Sequence, residues 1–118
     1  MKIDGTSFGS ITIDGETYPH DVLVRSSGEV VKRRKKLSKK YYGTSHVVSL
    51  EEAKFIYEKG CRQLIVGTGQ NGNLSLSPEA AAFFEEKGCR VLAEETPAAI
   101  DTFTRTGGEK TALFHVTC

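Results

Sequence analysis

Two histidines and the terminal cysteine are the side chains of this sequence whose types suit acid–base, nucleophilic or metal-binding chemistry. Histidine titrates near neutral pH, and a thiolate is both a nucleophile and a metal ligand. His46, His115 and Cys118 are scattered along the chain, however, and His115 stands in an apolar stretch where a buried, hydrogen-bonded histidine is the commoner outcome. We therefore predict no catalytic residue and no metal site, and we assign these three residues, with Gly43 and Thr44, a structural role or a place at the edge of a site.

A glycine-rich loop holds a second set of candidates. It follows residues 64–66, which are apolar and partly β-branched, as in a strand buried on both faces of a parallel sheet. Sites in open α/β sheets lie at such strand ends, and helix starts nearby attract anions. We expect the loop amides to face an open crevice, but the loop lacks a nucleotide-binding motif and no cofactor is predicted. A small-ligand site and a purely structural turn remain the alternatives for Gly67, Thr68, Gly69, Gln70, Asn71, Glu94 and Thr96.

A basic stretch is the third candidate, because seven of the sixteen basic residues fall between positions 32 and 40. Such a cluster could hold phosphates with strong salt dependence. No nucleic-acid motif accompanies it, and lysines also protect exposed sheet edges, so the sequence favours a solvated edge and loop over a nucleic-acid site. The basic residues are Lys32, Arg33, Arg34, Lys35, Lys36, Lys39 and Lys40.

The composition is that of a single globular domain, residues 1–118, with 38% hydrophobic and 26% charged residues and a net charge of +1. No apolar run approaches the roughly 20 residues of a membrane span, and the first residues do not resemble a secretory signal. The three cysteines are widely spaced, so we expect Cys61 and Cys89 to be small buried side chains rather than a disulfide or a zinc site. We expect a cytoplasmic protein that does not insert into membranes.

An internal likeness at a spacing of 28 residues relates segment 49–66 to segment 77–94. Each copy predicts a capped amphipathic helix, a glycine stop near Gly60 or Gly88, and a buried strand. In the first copy, Ser49 followed three residues later by Glu52 is a capping box. Two successive helix–strand units predict parallel neighbouring strands. We therefore expect strands near 63–67 and 90–94 to lie parallel and adjacent.

The flanking segments predict the remaining elements. The first third alternates as antiparallel strands around turn signals such as Asp14-Gly15, and residues 33–48 form a long irregular loop. Thr96-Pro97 opens a third helix reaching about Arg105. Segment 111–117 is predicted to join the central sheet as an antiparallel last strand.

Five segments, in their order and spacing, resemble a known family: Gly43-Thr44-x-His46, Leu64-Ile65-Val66-Gly67-x-Gly69, Leu74-Ser75-Leu76-Ser77-Pro78, Thr96 at a helix start, and Phe114-His115-x-Thr117-Cys118. This is the small domain-of-unknown-function family that includes the animal adipogenesis-associated domain protein and a mitochondrial assembly factor for respiratory complex I. The resemblance implies a three-layer α/β domain with a central mixed sheet, helices and a small N-terminal antiparallel β layer. It implies no established enzymatic activity.

Three functions follow as hypotheses. The favoured one is a non-enzymatic binding or adaptor domain that acts on an unidentified protein partner in the assembly of a larger complex. The second is a small-molecule-binding protein or a cryptic enzyme that uses the 67–72 loop. The third, which the sequence favours least as the function, is weak nucleic-acid binding through residues 32–40.

Overall fold

The computed structural model describes residues 1–118 as ten strands and four helices, all in one domain. In chain order these are β1 (Ile3–Ser7), β2 (Ser10–Ile13), β3 (Glu16–Tyr18), β4 (Val22–Val24), β5 (Val30–Lys32), α1 (Lys36–Tyr42), β6 (Val47–Val48), α2 (Leu50–Ile56), β7 (Gln63–Thr68), β8 (Ser75–Leu76), α3 (Pro78–Glu86), β9 (Arg90–Glu94), α4 (Thr96–Arg105) and β10 (Thr111–His115).

The centre of the fold is a five-stranded mixed sheet in the order β5-β4-β10-β7-β9. Strands β7 and β9 are adjacent and parallel, as the repeated helix–strand unit predicted. The last strand joins the same sheet, but its predicted antiparallel direction holds only toward β4, because β10 runs parallel to its other neighbour, β7. Helix α4 carries the chain back across the sheet before β10 begins, and a helical crossover normally joins parallel strands.

Two hydrophobic clusters cover the opposite faces of this sheet and give the three-layer architecture. One face packs against α2 and α3, with Phe84 and Ile56 among its buried side chains. The other packs against α4 and the three-stranded antiparallel sheet β1-β2-β3, with Phe103 and Ile11 buried there. Alternate residues of each central strand therefore face different helices, as in a sheet buried on both sides.

The helix starts follow the sequence signals. The Ser49 hydroxyl accepts the Glu52 amide at 3.1 Å, and the Ser77 hydroxyl accepts the Ala80 amide at 3.1 Å, so both serines cap a helix. Helix α2 ends at Ile56, earlier than the glycine stop predicted near Gly60, and the Ile56 carbonyl accepts a hydrogen bond from a side chain of the turn after β4. Helix α4 begins at Thr96 as predicted.

Four elements were not predicted from the sequence: α1, β1 and the short strands β6 and β8, which pair with each other in parallel. Residues 33–48 are not simply an irregular loop, because they contain α1, which stops where Gly43 takes a left-handed conformation (φ +68°). The first antiparallel sheet also begins with β1 at Ile3, before the strand that the sequence pattern predicts at residues 8–13. None of the four helices is both long and apolar enough to cross a membrane.

Candidate functional site

A buried ionic network lies between the central sheet and the helices α1 and α2. Arg33 is at its centre and only 4% of its surface is exposed. Its Nε and Nη2 donate to the two oxygens of Glu52 at 2.6 and 3.0 Å, and its Nη1 donates to Asp21 Oδ2 at 2.9 Å. Arg33 thus belongs to the interior, and its assignment to an exposed basic patch was wrong.

Asp21 precedes β4 and links the network to the last strand. Its Oδ2 lies 2.8 Å from His115 Nδ1, and its Oδ1 accepts the Val116 amide at 2.9 Å. Burial alone would raise the pKa of Asp21, but the bonds to His115 and Val116 and the Arg33 guanidinium outweigh it and lower the pKa to about 2. Burial likewise opposes the charge of Arg33, yet Glu52 and Asp21 together raise its pKa.

Glu52 reaches into the same network instead of closing a reciprocal capping box. The Ser49 hydroxyl caps the helix, but the Glu52 carboxylate turns inward and is fully buried. It accepts hydrogen bonds from Arg33 and from the hydroxyl of Ser38. Ser38 in turn accepts the Ser49 amide at 2.9 Å, so α1 is fixed to the start of α2.

The two histidines singled out from the sequence meet at the edge of this network. The ring centroids of His46 and His115 are 5.5 Å apart, in an edge-to-face arrangement. His115 is 2% exposed, and its Nε2 lies 3.3 Å from Thr117 Oγ1. Asp21, His115 and Thr117 therefore form a carboxylate–imidazole–hydroxyl chain, but its carboxylate is also neutralised by Arg33. Together with the Glu52 and Ser38 contacts, this arrangement joins β4, α1, α2 and β10.

The loop after β7 packs on the end of the chain, and the open crevice expected there was wrong. The Gly69 amide donates to Thr96 Oγ1 at 2.9 Å, and the Gln70 amide donates to the Thr117 carbonyl at 2.7 Å. The amides of Asn71 and of residue 73 both donate to the Cys118 carbonyl, at 3.2 and 3.0 Å. These donors are occupied by the protein itself, so this part of the loop is a structural turn.

The remaining loop candidates have structural contacts as well. Thr96 is fully buried, and its hydroxyl donates to the His115 carbonyl at 2.6 Å. The Thr68 hydroxyl donates to the Glu94 carbonyl at 3.0 Å. The Glu94 carboxylate is exposed and accepts a hydrogen bond from a threonine of α4, so it does not converge with the loop amides.

Six of the seven basic residues do lie on the surface at α1 and the segment before it. Lys32, Arg34, Lys35 and Lys36 border a cavity of about 490 Å³, and Arg33 and Leu37, its one hydrophobic residue, complete the wall. At the other end of α1, the exposed rings of Tyr41 and Tyr42 border a separate cavity and are held by hydrogen bonds to Glu51 (2.8 Å) and Glu79 (3.0 Å). We call the six exposed residues the α1 basic surface: Lys32, Arg34, Lys35, Lys36, Lys39 and Lys40.

Sequence reasoning missed the acidic members of the buried network, Asp21 and Glu52, and the hydroxyl of Ser38. Asp21 stands directly before the apolar Val-Leu-Val of β4, and an acidic residue next to a buried strand was a usable signal. Glu52 satisfied a capping pattern, which concealed its second role. No group of three or more histidine, cysteine, aspartate or glutamate side chains is arranged to hold a metal ion.

The fold and the network define a single-domain α/β protein whose mixed five-stranded sheet is fastened to its surface helices by buried ions. The chain belongs to the family described as "Protein of unknown function (DUF498/DUF598)", whose model matches residues 3–114. No match was found among curated proteins.

Solved structures share this architecture along almost the whole chain. A conserved hypothetical protein of Pyrococcus horikoshii, PH1505, is 37% identical over 100% of both chains, with a TM-score of 0.94. A protein named MT938 is 31% identical over 99% of this chain and 98% of its own, with a TM-score of 0.84. A Bordetella pertussis protein described as a Mth938-like domain is 18% identical over 98% of this chain and 85% of its own, with a TM-score of 0.59, and shows the fold alone.

Proposed function

We propose that this chain is a non-enzymatic protein-binding domain that holds an acidic segment of a partner protein on the α1 basic surface and so acts in the assembly of a larger complex. The observation that carries the proposal is the clustering of six exposed cations at a cavity of about 490 Å³ and on the helix that follows it. Positive charge gathered at a concave surface attracts negatively charged partners and raises their association rate.

The buried network fixes the segment that carries this surface. Arg33 is fixed inside by Asp21 and Glu52, while its neighbours on either side of the sequence are exposed. Ser38 fixes the middle of α1 in the same way. A surface held in place before binding loses less conformational entropy when a partner arrives, which favours affinity.

The exposed side chains at the end of α1 suit a protein partner. Tyr41 is 52% exposed and Tyr42 is 43% exposed, at the end of the same helix that carries the lysines. Tyrosine is enriched at protein interfaces because it combines a large apolar ring with a polar hydroxyl. The resemblance to a family that includes an assembly factor for respiratory complex I supports a role in assembly.

The decisive experiment compares affinity capture by the unmodified chain with capture by a triple variant, Lys35→Glu/Lys36→Glu/Lys39→Glu. A matched variant, Lys54→Glu/Lys59→Glu/Lys87→Glu, makes the same charge change at exposed residues elsewhere. Proteins lost only with the first variant are then produced alone and titrated by calorimetry. We expect a partner with an acidic segment whose affinity falls at least about tenfold for the α1 variant and stays unchanged for the control. Capture unaffected by the α1 variant, or equal losses in both variants, would remove this surface from the function.

A further inference from the structure

Strand β9 is one edge of the central sheet and pairs with β7 on one side only. Two hydrogen bonds show which way its backbone groups point. The Arg90 amide donates to the Arg62 carbonyl at 2.8 Å, and the Glu94 carbonyl accepts the Thr68 hydroxyl at 3.0 Å, both on the β7 side. The ends of β9 therefore direct their backbone groups inward, toward the sheet.

Backbone groups alternate in direction along a strand, so the orientation of the middle residues follows. Leu92 also points its amide and carbonyl toward β7. Val91 and Ala93 present theirs to the free edge, where an amide and a carbonyl on each residue are available to another strand. An open cavity of about 300 Å³ between α3 and β9, lined in part by Leu76, Ala81 and Val91, lies beside this edge.

The sequence of β9, Arg-Val-Leu-Ala-Glu, is complementary to itself when one copy is reversed. An antiparallel arrangement with Leu92 on the two-fold axis sets Val91 opposite Ala93 of the second copy. These are the residues with outward backbone groups, so all four of their amides find carbonyl partners. The same arrangement sets Arg90 opposite Glu94 of the second copy, twice by symmetry, on the face shared with Leu92.

Other antiparallel registers are less favourable. A shift of two residues in one direction sets Leu92 opposite Arg90, and a shift in the other sets Leu92 opposite Glu94, so an apolar side chain faces a charge in either case. A shift of one residue brings outward backbone groups against inward ones and exchanges the two faces of the strand. The central register is the one that satisfies both the backbone and the charges.

We propose that β9 is a self-association edge, which pairs antiparallel with β9 of a second copy of this chain about a two-fold axis at Leu92 and joins two five-stranded sheets into one. The contact is isologous, because the same five residues serve on both sides. It is independent of the α1 basic surface. A contact limited to one strand is small, so the dimer forms reversibly with concentration.

Sedimentation equilibrium from about 1 µM to 1 mM protein measures the dimer, and a charge swap tests its register. Arg90→Glu alone sets two carboxylates against each other, and Glu94→Arg alone sets two cations against each other, so each raises the dissociation constant at least about tenfold. The double variant Arg90→Glu/Glu94→Arg restores both pairs and returns the constant to within about threefold of the original. Lys54→Glu, a charge change on α2, leaves it unchanged. A chain that stays monomeric at about 1 mM, or a dimer indifferent to the swap, overturns the proposal.

Hydrogen exchange locates the contact independently of the charges. The amides of Val91 and Ala93 exchange more slowly as the protein concentration rises, whereas the amide of Leu92 is bonded within the sheet at every concentration. Ala93→Pro removes one outward donor without removing a bond to β7, and we expect it to fold and to weaken the dimer. Exchange at Val91 and Ala93 that does not depend on concentration would place any dimer elsewhere and refute this edge.

Discussion

Arg33 and Glu52 form a doubly bonded ion pair inside the protein, with nitrogen–oxygen distances of 2.6 and 3.0 Å. Neither exposes more than 4% of its surface. Because Asp21 shares the same guanidinium, one cation compensates two buried carboxylates. The helix-capping segment of α2 and the basic segment after β5 are thereby tied together at one point.

Replacing Arg33 with methionine should destabilise the protein strongly. The Arg33→Met substitution leaves Glu52 and Asp21 buried without their cation, and breaking a buried ion pair from one side typically costs about 3–5 kcal/mol. Urea unfolding followed by circular dichroism measures the loss. Lys35→Met, at an exposed neighbour, should change the free energy of unfolding by less than about 0.5 kcal/mol. Similar losses in the two variants would contradict the central position of Arg33.

The ionisation of Asp21 should make stability depend on acid pH. Its pKa is about 2 in the folded protein against 3.8 without the fold, so the folded state favours the carboxylate. The resulting stabilisation is fully present above about pH 4 and is lost as the pH falls toward 2. It is worth about 2 kcal/mol.

Unfolding free energies of the wild type and of Asp21→Asn between pH 6 and pH 2 test this assignment. The asparagine variant should be less stable at pH 6, and the difference between the two proteins should shrink by about 2 kcal/mol at the acid end. Asp101→Asn, at an exposed residue of α4, is the control. Its free energy of unfolding should change with pH as that of the wild type does. A difference that stays constant with pH would show that Asp21 keeps an ordinary pKa.

Local patterns in the sequence predicted most of the fold, because capping, glycine stops and apolar strands act within a few residues of one another. Ser49, Ser77 and Thr96 mark their helix starts in the structure as they do in the sequence. The direction of β10 depends instead on which strand it pairs with, and it has one parallel and one antiparallel neighbour. The sequence of β10 alone does not determine which strands it pairs with.

The interior network could not be predicted in the same way, because its members come from distant parts of the chain. Asp21 and His115 are 94 residues apart, and Arg33 resembled its exposed neighbours in type. The loop at Gly69 illustrates the converse error. Its glycines suggested an accessible site, yet they allow the backbone to approach the chain end, a contact that only the tertiary structure reveals.

A side chain at Gly69 should destabilise the protein more than one at another left-handed glycine. Gly69 has φ +106°, and a Cβ there would lie 2.4 Å from the Cys118 carbonyl carbon. Gly88 has φ +71° but open space around it, so Gly88→Ala measures the conformational cost alone, about 1–2 kcal/mol. Gly69→Ala should exceed that value by at least about 1 kcal/mol in urea unfolding, because the chain end must also shift. Equal costs would mean that the packing on Cys118 contributes nothing.

The three cysteines should react at very different rates in the folded protein. Cys61 and Cys89 are buried with their sulfur atoms 3.4 Å apart, and burial together with the Cys61 hydrogen bond raises the pKa of Cys89 to about 12. Titration with Ellman's reagent at a pH of about 7.5 should label one thiol quickly, at the half-buried Cys118, and the others at least about a hundredfold more slowly. All three should react in denaturant. Fast labelling that survives Cys118→Ser would contradict this order.

The α1 basic surface should bind nucleic acid weakly and without sequence preference. Because Arg33 is buried, six exposed cations remain to contact phosphates. A plot of the logarithm of the association constant for duplex DNA against the logarithm of salt concentration should therefore have a slope no steeper than about −5. Fluorescence anisotropy with two unrelated duplexes of about 20 base pairs should give equal affinities at about 20 mM salt and no measurable binding at about 150 mM, because counterion release then loses its driving force. The Lys35→Glu/Lys36→Glu/Lys39→Glu variant should abolish the low-salt signal, and its control on Lys54, Lys59 and Lys87 should keep most of it. Tight binding to one duplex at about 150 mM salt would instead make nucleic acid, and not an acidic protein segment, the natural occupant of this surface.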